Sequence, residues 1–115
     1  MLQDTGILSL VDTIAADLTK GQFGTDSTAV TAADGGVLTP IAATLLDLNS
    51  VTTSGRSISA KHVVNSLLGN GSTFAEHEVV LSDTTSITRN IFTSFGKTAS
   101  IEVNAFTIFT IDPIN

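Results

Sequence analysis

The chain has no cysteine, no tryptophan and no tyrosine, and only two prolines among its 115 residues. Without cysteine there is no disulfide framework, no thiol nucleophile and no thiolate ligand for a metal. A domain of this length buries roughly 65% of the surface its unfolded chain exposes, so a core forms without such staples. Basic residues are also scarce: five Lys and Arg stand against eleven Asp and Glu, for a formal net charge of −6. Five scattered cations cannot line a phosphate backbone, which excludes a nucleic-acid partner, and they cannot make a polybasic membrane anchor. The amino end, MLQDTGILSLVDTIAADLTK, carries Asp4 and Asp12 where a signal peptide has Lys or Arg, and Asp17 interrupts its apolar stretch. Neither a secretory signal nor a membrane span is expected there.

What is present in quantity is Ser and Thr, roughly a quarter of the chain, together with Val, Ile and Gly. Such a composition with little charge suits a compact β-protein. Residues 1–115 read as a single domain: a helix over 4–20, an ordered loop over 21–36 and a β-sandwich over 37–112. Ile7, Leu8, Val11, Ile14, Ala15 and Leu18 recur at three- and four-residue intervals, which predicts one apolar helix face. Asp4 or Thr5 is the expected cap, Lys20 falls in the predicted last turn, and Gly21 is placed to end the helix.

Gly24 to Gly36, GTDSTAVTAADGG, has no large apolar side chain except Val30 and reads as a loop. Val37 to Val51 is ambiguous: Pro40 breaks it early, and IAATLLDLNSV fits either a short helix from Ile41 or a strand with Leu46 and Leu48 on one side. After the turn signal Ser54-Gly55, RSISAKHVV alternates, with Ile58, Ala60, His62 and Val64 on one face. Phe74 to Leu81, Ile87 to Phe95 and Ala99 to Ile111 are further strands, the last expected to end buried on both faces and to be closed by Pro113. The fold expected from these elements is a mostly β, antiparallel sandwich with one N-terminal α-helix.

The residues that could carry chemistry are few. His77 stands between Glu76 and Glu78, but a strand sends the two glutamates to one face and the histidine to the other, so the triplet cannot converge on a metal. His62 has only Lys61 as a charged neighbour; both histidines are read as ordinary surface or interface residues. No Gly-x-Ser-x-Gly elbow, phosphate-binding loop or calcium-loop spacing occurs, and Asp26 and Asp34 are read as loop acids. Asn70-Gly71-Ser72 is read as a turn rather than a glycosylation site. No catalytic residue, no metal ligand and no cofactor is expected, and the protein is read as a non-enzyme.

Four segments, in order, resemble a family of small tailed-phage virion proteins that occur as free subunits and as modules of tail-fibre and baseplate proteins. VDTIAADLTKGQF leads into GTDSTAVTAADGGVL, which is similar to the family's Gly-Thr-rich loop at Gly24, Thr25, Thr28, Ala29, Asp34 and Leu38. FAEHEVVLSD resembles the family's acidic strand at Glu78, Leu81 and Asp83, and SITRNIFTSFGKTASIEVNAFTIFTI resembles its closing segment at Arg89, Phe92 and Lys97. The family's second loop glycine is Asp26 here, and its Gly-Leu-Phe is Val79-Val80-Leu81.

The resemblance implies a non-enzymatic structural subunit in the virion, assembled in the host cytoplasm: a capsid decoration or cement protein, or a tail, neck or baseplate component. Its partners would be other virion proteins and further copies of itself, a trimer being the first expectation by analogy. A glycan- or receptor-binding tail-fibre module is the rival, although the chain lacks the Trp or Tyr platform on which sugars stack. Gly24, Thr25, Asp26, Thr28 and Asp34 are the expected inter-subunit contacts, because so small-residue a loop needs neighbours to hold it. Removing Gly24–Gly36 is accordingly expected to leave the sandwich folded but to abolish incorporation into particles.

Overall fold

Alternating apolar and polar residues build two antiparallel sheets, seen in a computed structural model that describes residues 3–112. The strands are β1 (Leu18–Gly24), β2 (Leu46–Asp47), β3 (Ser50–Ser54), β4 (Ser57–Val64), β5 (Thr73–Leu81), β6 (Ser86–Gly96) and β7 (Val103–Thr110). One sheet runs β2-β1-β5-β6 and the other β3-β4-β7. With the helix α1 (Asp4–Asp17), they form the expected mostly β sandwich with an N-terminal helix. No helix among the described residues is long and apolar enough to cross a membrane. Pro113 lies outside the described residues.

The helix ends earlier than its periodicity suggests. Asp17 is its last residue, and Leu18 opens β1 instead of continuing the apolar stripe. The reason is tertiary: Leu18 pairs with Leu81 at the end of β5, and the Ser82 N–H donates to the Asp17 carbonyl at 2.9 Å. Gly21 is therefore a strand residue and not a cap, and Lys20 pairs with Asp47 at 2.9 Å from within β1. At the other end, Gln3 occupies the cap position without a side-chain bond, while Asp4 pairs with Arg56 at 2.7 Å.

Between 37 and 51 neither one strand nor one helix runs through, and four short pieces take their place. Pro40 bridges to Gly24, Ala42–Thr44 makes one 3-10 turn, and β2 and the start of β3 follow. The β3–β4 hairpin turns at Gly55, whose φ of 57° lies in the left-handed region. In β4 the predicted parity holds, with Ile58, Ala60, His62 and Val64 all buried.

Two apolar clusters fill the space between the sheets. Ile7 and Val11 of α1 join Leu18, Ile58, Ala60 and Val79 in one. Phe23, Val64 and Phe74 form the other, with Phe92, Phe95, Val103 and Ala105 half-buried around them. The helix thus closes the end of the sandwich where β4 begins and β5 finishes, and aromatic side chains fill the opposite end. β7 departs from expectation: Phe106 and Ile108 point outward and remain 64% and 70% exposed, because β7 lies at a sheet edge with no layer outside it.

Candidate functional site

β5 carries Glu76 and Glu78 on one face and His77 on the other, and each face organises a different set of buried polar groups. On the first face, register places Glu78 opposite Arg89 of β6, and Arg89 Nε donates to Glu76 Oε1 at 2.9 Å. The remaining guanidinium donors reach into the loop over 25–39. Arg89 Nη1 donates to Asp34 Oδ2 at 3.1 Å and to the Thr28 carbonyl at 3.0 Å, and Nη2 lies 3.6 Å from Asp26 Oδ1. The two glutamates complete the hold. Glu76 accepts the N–H groups of Asp26, Leu38 and Thr39 at 2.8, 2.7 and 3.0 Å, and Glu78 accepts that of Val37 at 3.0 Å.

Each charge in this latch has a partner, which is the condition for burying ions at tolerable cost. Burial alone would raise the Glu76 pKa. The hydrogen bond from Arg89 and the loop N–H groups outweigh it and hold the carboxyl below its usual range. Asp34 and Asp26 are likewise held low, chiefly by hydrogen bonds from Thr31 and Thr28 respectively, with Arg89 adding attraction.

All five residues singled out in the sequence meet around this latch. Gly24 ends β1 against the Glu76 carboxylate, where a Cβ has no room, and Thr25 N–H donates to the Thr39 carbonyl at 2.9 Å. Asp26, Thr28 and Asp34 serve Arg89 or Glu76 directly. Two expectations change as a result. The loop draws its order from Glu76, Glu78 and Arg89 of its own chain, so it needs no neighbour for that purpose. Its removal would take Asp26, Thr28 and Asp34 from the buried Arg89 and the Asp26 N–H from Glu76, and would remove Gly24 from the end of β1, so a cost to the stability of the sandwich is expected in place of none. Glu76 and Arg89 are not recognisable as loop anchors from spacing; the only signal is a pair of glutamates at alternate positions in a strand that is apolar at Phe74, Ala75, Val79, Val80 and Leu81.

The other face corrects the reading of the histidines. His62 and His77 are 0% and 5% exposed, and His62 Nδ1 lies 2.9 Å from His77 Nε2 across the sandwich. His62 Nε2 lies 3.0 Å from the Thr44 carbonyl, which can only accept, so this nitrogen carries a proton. Burial pushes the pKa of His62 down to about 4, and burial plus repulsion by His62 pushes that of His77 down to about 3. Both rings are therefore neutral at pH 7. His62 Nδ1 is bare, His77 Nε2–H donates to it, and His77 Nδ1 is left with a free lone pair.

Local sequence makes this pair fit. A Cβ at Gly21 would fall 2.6 Å from His62 Cγ, so only glycine lets the ring lie over β1. Thr44, wholly buried, accepts the Phe23 N–H through Oγ1 at 2.9 Å and donates to the Ile41 carbonyl at 2.7 Å, which fixes the carbonyl that His62 reads. Phe23 packs against both imidazoles, with ring centroids 5.3 Å from His62 and 4.6 Å from His77.

Asn70 is also spoken for: its amide donates to the Ser66 carbonyl at 3.0 Å and its oxygen accepts from the buried Lys97 at 2.8 Å, in keeping with a structural turn. No group of three metal-ligating side chains occurs among the described residues. No protein-family profile, no curated protein and no solved structure matches the chain.

Proposed function

We propose that this protein is a non-enzymatic structural subunit of a tailed virus particle, acting by packing against other virion proteins. The observation that carries the reading is spatial. Of the positions that resemble the phage family, the loop residues Gly24, Thr25, Thr28, Asp34 and Leu38, the strand residue Glu78 and the distant Arg89 meet in one latch, while Leu81, Asp83, Phe92 and Lys97 lie outside it. The other supports are chemical: the ionic groups of the latch are consumed by internal partners, and large apolar side chains are left on the outer face of an edge strand.

Gold-labelled antibody imaging of intact particles from the source virus tests the reading. Label spread over the head assigns a decoration or cement role, and label confined to the tail assigns a neck, fibre or baseplate role. Particles that carry no label would overturn it.

A further inference from the structure

Strand β6 ends one sheet and β7 ends the other, so each is hydrogen-bonded along one side only. Where the two edges face each other the sandwich is open, and a cleft of about 300 Å³ lies between them, at the lower end of the range for specific ligand pockets. Phe23, Phe92, Phe95, Val103 and Ala105 supply its apolar surface, and His77 lines it as well. His77, one of its lining residues, also carries the one nitrogen left over from the histidine pair. With His77 Nε2 bonded to His62, Nδ1 has no partner among the described residues, although its side chain is 95% buried. A bare acceptor in an aromatic cleft selects an aromatic group that carries a donor.

The edges indicate what would bring that group. A free small molecule would leave the free edge of β7 to water, whereas an extended segment can pair with it along its length. Side chains along such a segment alternate between the cleft and the outer face. The outward ones would then cover Phe106 and Ile108, the most exposed large apolar residues of this sheet, while the outer face of β6 is already occupied by the latched loop. A second copy of this chain is a poor source, since it holds no tyrosine or tryptophan and shares the net charge of −6.

We propose that β7 accepts an extended strand from a different protein, whose tyrosine or tryptophan side chain enters the cleft and donates a hydrogen bond to Nδ1 of His77. The proposal rests on the reading of the protein as a packing subunit and names the chemistry of its partner.

The test is selection of the full-length protein against a yeast-displayed library of random nonapeptides, followed by NMR titration with synthetic copies of the enriched peptides. Enriched peptides are expected to alternate apolar residues and to carry Tyr or Trp at an inward position, and to shift the β7 amides together with the His77 imidazole nitrogens. Replacing that Tyr by Phe should weaken binding about tenfold, the worth of one buried hydrogen bond. Ala105→Phe, which fills the cleft, and Phe106→Asp, on the exposed rim and harmless to folding, should each weaken it at least as much. No enrichment, enrichment without an aromatic donor, shifts away from β7, or indifference to Tyr→Phe and to both variants would overturn the proposal. Saturation of the cleft by p-cresol with no peptide enriched would overturn the strand and leave a small-molecule cavity. These outcomes are separable from particle labelling, since unlabelled particles would remove the virion reading without touching a measured peptide complex.

Discussion

On one face of β5, Glu76 and Glu78 bury charge; on the other, His77 buries a neutral ring. The charged face is saturated, with Arg89 and four loop N–H groups answering the two carboxylates. The neutral face is left one bond short, because the relay from Thr44 through His62 ends at a lone pair. The difference follows from what each kind of group tolerates. A buried ion without partners costs several kcal/mol, so the latch has to be complete, whereas a neutral imidazole survives with one unused acceptor. The complete latch serves the fold, and the incomplete relay is the bond that the proposed strand partner would supply.

The largest effect should come from breaking the charged face. Glu76→Ala leaves the Nε of Arg89 and three loop N–H groups without their acceptor, and a loss of about 3–5 kcal/mol is expected in urea unfolding. Glu78→Ala, which frees a single N–H, should cost only about 1 kcal/mol; equal losses would contradict the division of roles within the latch.

Acid should attack the neutral face first. Unfolded histidines take up protons near 6.5, but the native pair resists until about 4 and 3, so the unfolded state binds more protons in that interval. Stability is therefore complete above pH 6.5 and falls on acidification, by about 1.4 kcal/mol per pH unit for each proton taken up. Glu76, whose folded pKa lies below its usual 4.5, withdraws its own contribution only at lower pH. His77→Leu should flatten the slope between pH 6.5 and 4.5, and an unchanged slope in chemical denaturation would refute the assignment to this pair.

Packing beneath the histidines is the next most sensitive point. Gly21→Ala pushes a methyl group into the His62 ring and should cost about 1–3 kcal/mol by overpacking, with altered imidazole resonances. The smallest effect belongs to the rim of the cleft. Phe106→Ser should change folding stability by no more than about 0.5 kcal/mol, since the side chain is mostly in water. A larger loss would mean that Phe106 is part of the fold and not free for a partner.

Much of the sandwich was legible along the chain. The alternation of RSISAKHVV reports β4 with its correct buried face, Ser54-Gly55 reports the hairpin before it, and the small residues after Gly24 report a loop. These features are local, so a few adjacent residues suffice to specify them. The end of the helix was not legible, because Leu18 continues the apolar period and only its pairing with Leu81 draws it into a strand. The outward exposure of Phe106 and Ile108 was equally hidden, since alternation marks two faces of a strand but not whether a second layer covers both.

The candidate site divides in the same way. By itself the sequence determined that the chain is an acidic, cysteine-free β domain with an N-terminal helix, and that Glu76 and Glu78 face away from His77, because strand geometry alone sends neighbours to opposite sides. Tertiary structure alone decided that Arg89 meets a loop more than fifty residues earlier, and that His62 and His77 meet across two sheets over the bare backbone of Gly21. Hydrogen bonding and desolvation act at contact distance in space, and neither strand periodicity nor composition specifies which distant residues come within it.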